Sequence, residues 1–221
     1  MPIANPRTYL KNLVKVLKTQ WPKNRIVNIV CHGHSVPAGY FVTPLVQTFD
    51  TYPHLLHRLL KERFPYAVIN VIVTGIGGED SVKGAARFEK EVLCHLADVL
   101  IIDYGMNDHR VGLKKSANAW ESMIKMAQAA HSKVLLCTPT FDSDLANNSF
   151  ASGTRDLFAH AKQIRELAKA NGVGLVDCFA AFQNATKVGI EIDSLLSSSN
   201  HPNRKGHEII ADEIMKYSQI L

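Results

Sequence analysis

Five short apolar runs, each separated from the next by a stretch of helical periodicity, constrain the fold of this chain more than any other feature. The runs are Ile26–Cys31, Val68–Val73, Val99–Ile102, Val134–Cys137 and Gly174–Val176. Most are near-continuous in Val, Ile and Leu, as strands buried on both faces are, and do not alternate with polar residues. Between them, apolar residues recur three and four apart. Leu55, Leu56, Leu59 and Leu60 line one face of a helix over Tyr52–Phe64. A second helix is predicted from Ser81 to His95, and a third over Ser116–His131 with Trp120, Met123, Ile124 and Ala127 inward. A fourth covers Thr154–Asn171 with Leu157, Ala161, Ile164 and Ala168 inward, and Gly172 at its end. Cys178 to Lys187 reads as a further helix, and Arg204–Leu221 closes the chain with Ile210, Ile214, Tyr217 and Leu221 in register. Such alternation implies an α/β fold: a parallel sheet with helices on both faces.

Ahead of the first strand, Asn5-Pro6 opens a helix carrying Leu10, Leu13, Val14, Leu17 and Trp21, which Pro22 ends. Residues 1–24 are therefore expected to pack as an N-terminal helix on one domain spanning 25–221. Neither Val188–Asn203 nor Pro139–Gly153 shows a period. The latter is long for a connection in a compact domain and is expected to be a binding loop or lid.

Composition removes several function classes. The 25 basic and 20 acidic residues give a net charge of +5, but the basic residues are scattered, which argues against nucleic-acid binding. No apolar run reaches membrane-spanning or signal-peptide length. Cys31, Cys94, Cys137 and Cys178 are far apart and form no C-x-x-C pair. They read as reduced core residues of a cytoplasmic protein.

Chemistry concentrates at the strand ends. Ser35 follows the first run across Gly33, Gly78 follows the second within Gly75-Ile76-Gly77-Gly78, and Asn107 follows the third. Open α/β sheets gather the residues at the carboxyl ends of their strands along one edge. His201 precedes the last helix. Taken singly, each has an ordinary reading: Ser35 and Asn203 as helix caps, the glycines as a tight turn, Asn107 as a turn residue. Together they fit acyl transfer. A serine hydroxyl needs a neighbouring base, which His201 can supply. The oxyanion of the tetrahedral intermediate needs fixed donors, which the N–H groups of Ser35 and Gly78 and the amide of Asn107 can supply. A metal cluster among His32, His34, His109, His201 and His207 is a weaker reading, because an i, i+2 pair lacks a second defined pair.

The order and context of these residues resemble the SGNH (GDSL) hydrolases. The family's first block appears as Gly33-His34-Ser35 with Ala38-Gly39-Tyr40, and the second as Gly75-Ile76-Gly77-Gly78-Glu79. The third stands intact as Gly105-Met106-Asn107-Asp108, and the last as Ser198-Ser199-Asn200-His201-Pro202-Asn203. The resemblance covers roughly residues 25 to 219. It implies a flavodoxin-like three-layer α/β/α fold with a five-stranded parallel sheet, in the order 2-1-3-4-5. It also implies hydrolysis of O-acyl esters or thioesters with no metal or organic cofactor, on small ester substrates such as acylated carbohydrates. By it, Ser35 is the nucleophile and His201 the base, and Ser35, Gly78 and Asn107 form the oxyanion hole. His34, Asp108 and Tyr40 are expected to meet the substrate.

Two residues depart from the family pattern. His34 replaces the aspartate before the nucleophile, and Ser198 replaces the aspartate of the triad. His201 is then expected to be oriented by a backbone carbonyl, by Ser198 or by an acid such as Asp193. The sequence leads to a serine esterase with a Ser35–His201 centre, with a carbohydrate O-acetyl ester as the favoured substrate. The alternative is a non-catalytic ligand-binding relative that lost activity with the triad aspartate.

Overall fold

A computed structural model describes residues 2–143 and 156–218. Strands β1 (Ile26–Gly33), β2 (Val68–Val73), β3 (Val99–Asp103), β4 (Lys133–Cys137) and β5 (Gly174–Val176) form one sheet in the order β2-β1-β3-β4-β5, every pair parallel. The expected order is the one observed. Alternate residues of each strand serve opposite faces. Ile29, Cys31, Val99, Ile101, Leu135 and Cys137 enter one apolar core, while Val30, Leu100, Ile102, Val134 and Leu136 enter the other. Both faces are covered over the centre of the sheet, while the edge strand β2 leaves Val68 and Asn70 exposed.

The helices sort accordingly. α2 (Lys11–Leu17), α4 (Tyr52–Arg63), α8 (Cys178–Lys187) and α9 (Arg204–Met215) close the first core. α5 (Ser81–Glu91), α6 (Gly112–Ala129) and α7 (Leu157–Asn171) close the second, with Phe88, Trp120, Met123, Ile124, Ile164 and Ala168. Two further short helices are α1 (Pro6–Tyr9) and α3 (Ser35–Ala38). Asp80 caps α5 by accepting from Val82 N and Lys83 N at 3.1 Å, and Gly172 in the left-handed region ends α7.

Some boundaries differ from those read in the sequence. The N-terminal helix is two pieces, because Leu10 leaves helical geometry at φ −102°, ψ 16°. Val14 and Leu17 of α2 belong to the first core, so this segment is packed, while Trp21 is exposed. The helices beginning at Ser81 and Arg204 end earlier and tighten into 3-10 turns at Leu93–His95 and Lys216–Ser218. The stretch read as irregular after Val188 contains a 3-10 turn, Ile192–Leu195, and an antiparallel hairpin of β6 (Leu196–Ser198) and β7 (His201–Pro202). Cys31, Cys137 and Cys178 are buried as expected, but Cys94 is exposed in the turn after α5. Of the expected lid, residues 144–153 lie outside the described residues. Its described stem is tied down: Phe141 packs on Phe179 at 4.7 Å, and Ser143 N donates to Ser199 O at 2.8 Å. Among the described residues, no helix is long and apolar enough to cross a membrane.

Candidate active site

The sheet register explains why the motif residues meet. Cys31 on β1 pairs with Val73 at the end of β2, and Gly33 pairs with Asp103 at the end of β3. The three strands therefore stop at one edge, and the segments carrying Ser35, Gly78 and Asn107 leave side by side. Gly33 has a steric role there: a Cβ would collide with the Asp103 carbonyl, whose oxygen accepts from His34 N at 3.2 Å. The chain turns at once into α3, with Ser35 as its first residue and the His34 side chain as its cap.

Ser35 Oγ lies 2.9 Å from His201 Nε2. Both side chains are nearly enclosed, Ser35 at 6% and His201 at 7% exposure. His201 Nδ1 lies 2.8 Å from the carbonyl oxygen of Phe41. An acceptor there requires the proton on Nδ1, which leaves the Nε2 lone pair to take the serine proton. Ser198 Oγ stands 3.2 Å from the same Nδ1 and donates to Phe41 O at 3.0 Å. Two of the three expected orienting groups are thus at His201, a backbone carbonyl and Ser198. Asp193 sits exposed on the 3-10 turn. The Phe41 carbonyl is held by local structure: Phe41 N donates to Leu45 O at 3.1 Å, and Tyr40 and Val46 form a bridge. The Phe41 ring stacks on His207, centroids 5.4 Å apart, and His207 Nδ1 accepts from Tyr52 N at 3.2 Å. Burial lowers the His207 pKa to about 3 and keeps that ring neutral.

The candidate oxyanion donors have separate supports. Gly78 sits at φ +74°, a left-handed conformation that glycine adopts without strain, and its carbonyl accepts from Arg110 at 2.8 Å. Asn107, 2% exposed, donates one amide hydrogen to Glu79 O at 3.0 Å, which leaves the second for a ligand. Glu79 is in turn clamped. Its carboxylate accepts from Arg87 Nε at 3.0 and 3.1 Å, from Arg87 Nη2 at 2.6 Å and from Tyr104 Oη at 2.7 Å. Tyr104 Oη also lies 3.1 Å from His32 Nε2, and His32 Nδ1 lies 2.9 Å from Thr74 Oγ1. Burial, with Arg87 next in weight, brings His32 down to about 3, so this histidine is a neutral framework group. Among the described residues, no group of three or more His, Cys, Asp or Glu side chains is arranged to hold a metal.

The three residues expected to meet substrate are placed differently from one another. Tyr40 is half-buried with its ring 6.4 Å from that of His201, and it backs onto Gly77, where any Cβ would press on the ring. His34 lies beneath Ser35, almost wholly buried, with Nδ1 3.4 Å from Ser35 Oγ. Asp108 is fully enclosed and spends both oxygens on the frame, accepting from Ser81 N at 2.8 Å and Trp120 Nε1 at 2.7 Å. Burial raises its pKa. Phe41 reads in the sequence as an aromatic that could line a pocket and Glu79 only as the end of the second block, while Arg87 and Asp103 do not stand out as site residues. Phe41 acts through its backbone, which no residue type signals. The acids and Arg87 read as ordinary charges until the fold buries them.

Residues 31–209 match the profile of the GDSL-like Lipase/Acylhydrolase family. The chain belongs to that family. Among curated proteins, none matches the chain in sequence. Solved structures share its fold. Axe2, an acetylxylan esterase from Geobacillus stearothermophilus, superposes with a TM-score of 0.76 at 20% identity, over 88% of this chain and 95% of that one. LAE5, an alpha/beta hydrolase enzyme from the metagenome of Lake Arreo, Spain, gives 0.73 at 20% identity, over 87% and 94%. A two-domain esterase, CEX, active on acetylated mannans, gives 0.72 at 22% identity, with 98% of this chain matching 53% of that one. The GDSL-like family places the chain among the ester hydrolases, and the structural likeness establishes the shared fold.

Proposed function

We propose that this GDSL-family hydrolase removes acetyl groups from carbohydrate O-acetyl esters through Ser35 and His201. The observation that carries the reading is the 2.9 Å approach of Ser35 Oγ to His201 Nε2, with Nδ1 committed to the Phe41 carbonyl. Ser35 Oγ attacks the acetyl carbonyl while His201 Nε2 takes its proton. The oxyanion is received by the N–H groups of Ser35 and Gly78 and the free amide hydrogen of Asn107. On collapse, the C–O bond to the sugar breaks and His201 returns the proton to the departing hydroxyl. A water then attacks the acetyl-enzyme, giving its proton to His201, and acetate leaves as Ser35 recovers the proton.

The Phe41 carbonyl fixes the imidazole tautomer and receives the Nδ1–H of the imidazolium. Its dipole does so with less stabilisation than a full carboxylate charge. A short acyl group agrees with the enclosed nucleophile, and the half-buried Tyr40 ring beside His201 offers a face for a sugar. Axe2 and CEX, on the same fold, have acetylated polysaccharides as substrates.

The reading is tested by acetate release from acetylated xylo- and manno-oligosaccharides, alongside p-nitrophenyl acetate and butyrate. Acetate should be released from the sugars, and p-nitrophenyl acetate should be cleaved at least about tenfold faster than butyrate, the scale on which added methylenes are discriminated. Faster cleavage of butyrate would overturn the acetyl assignment. Inactivity on every ester would favour a binding protein, with Ser198 in place of the acid as its cause.

A further inference from the structure

Two imidazoles face the Ser35 hydroxyl. His201 has a carbonyl and a hydroxyl at its far nitrogen. The far nitrogen of His34 lies near the Asp103 carboxylate. His34 Nδ1, 3.4 Å from Ser35 Oγ, also accepts from Val36 N at 3.2 Å. A ring nitrogen that accepts a hydrogen bond carries no proton, so the neutral His34 ring bears its proton on Nε2. Nε2 stands 3.4 Å from Asp103 Oδ1 without the alignment of a hydrogen bond and has no hydrogen-bond partner among the described residues; the two side chains are 1% and 8% exposed. The backbone holds the two residues together: His34 N donates to Asp103 O, and Gly33 packs on that same carbonyl.

We propose that Asp103 and His34 form a positioning pair for Ser35. The Asp103 carboxylate charge close to Nε2 favours the Nε2–H tautomer, the same one that the Val36 N–H selects at Nδ1. The Nδ1 lone pair caps the turn at Val36 and so fixes the backbone that carries Ser35; its 3.4 Å distance to Ser35 Oγ is longer than the 2.9 Å of His201 Nε2, to which the single hydroxyl proton goes. The pair moves no proton; it keeps the hydroxyl aligned with His201. An asparagine at position 34 has a fixed carboxamide oxygen to offer Val36 and no tautomer to select. With asparagine there, Asp103 loses its purpose. The inference rests on Ser35 being the nucleophile.

The test is kcat and KM on p-nitrophenyl acetate for the wild type, His34→Ala, His34→Asn, Asp103→Asn and the double variant His34→Asn/Asp103→Asn, with the melting temperature of each. His34→Ala should lower kcat by about 10²-fold, the scale of a small misplacement of a reacting group, with KM within about twofold. His34→Asn should recover at least about tenfold of that loss. Asp103→Asn should cost about tenfold in kcat in the wild-type background and less than about twofold in the His34→Asn background, a non-additivity that simple loss of packing does not produce. Equal cost in both backgrounds, or His34→Asn no better than His34→Ala, overturns the pair. If Asp103→Asn does not fold, the comparison of the two His34 variants decides alone. A folded wild type that cleaves no ester overturns the esterase reading itself, and the pair with it; a failure of the pair alone appears with the wild type active.

Discussion

Phe41 contributes a carbonyl to the centre, and this places a limit on what Ser198 does there. The carbonyl oxygen is 2.8 Å from His201 Nδ1 and the Ser198 hydroxyl 3.2 Å, while Ser198 spends its own proton on Phe41 O. The hydroxyl therefore supports the carbonyl more than it supports the imidazole. Ser198→Ala is expected to lower kcat by less than about threefold, because the tautomer of His201 remains fixed. A loss of about 10²-fold or more would move the orienting role from Phe41 to Ser198. Steady-state kinetics on p-nitrophenyl acetate separates the two. At this scale the sequence was most informative where a side chain does the work. Ser35, His201 and Asn107 could be picked out from their contexts, and the departures at His34 and Ser198 marked the two places where the structure shows a different arrangement. What stayed hidden was the Phe41 carbonyl, since every residue has one and only the fold selects it.

Three loops leave adjacent strand ends, and each is braced by a different element. The loop after β2 is braced through Glu79, whose carbonyl holds the Asn107 amide and whose carboxylate is held by Arg87 of α5 and Tyr104 after β3. Gly84 makes room for this, since a Cβ at that position in α5 would strike the Tyr104 ring. Tyr104→Phe deletes a buried hydrogen bond to a carboxylate. It should destabilise the protein by about 1.5–3 kcal/mol in chemical denaturation, and lower kcat more than it raises KM, because the displaced Glu79 carbonyl carries Asn107 with it. An unchanged unfolding free energy would mean that Arg87 alone suffices to hold Glu79. The strands themselves were legible from their apolar runs, within a residue at most ends. Helix ends were less so. The helix after Ser81 yields to a 3-10 turn at Leu93, and Leu10 interrupts an apolar period that runs straight through it. The hairpin carrying His201 has no alternating pattern, because β6 and β7 are three and two residues long and are held by turns and by Ser197, which donates to His201 O at 3.1 Å.

At the scale of the molecule, the doubly covered sheet leaves polar groups inside that must stay neutral. His32 on one face and His207 on the other are both depressed to about 3, chiefly by burial. Folding therefore excludes protons that the unfolded chain binds with an ordinary imidazole pKa of about 6.5. Their contribution to stability is complete above that value and is lost as pH falls from there toward 3, each histidine adding up to about 1.4 kcal/mol per pH unit. His207→Asn keeps an acceptor for Tyr52 N and should flatten the pH dependence by one proton between about pH 6 and 4. Urea unfolding at several pH values measures the slope, and an unaltered slope would show that His207 does not carry it. The same burial explains why composition and periodicity revealed the architecture so fully: five apolar runs buried on both faces admit few arrangements, and the order β2-β1-β3-β4-β5 follows once the family resemblance is added. The proposed chemistry has Ser35 acylated and His201 activating it. It is tested most directly by reacting the wild type, Ser35→Ala and His201→Ala with a serine-directed phosphonate and reading the adduct by mass spectrometry. A single adduct on Ser35 is expected, formed far more slowly in His201→Ala and absent in Ser35→Ala, whose ester hydrolysis falls by about 10⁵-fold or to background. An adduct on another residue, or ester hydrolysis undiminished in Ser35→Ala, would contradict this chemistry.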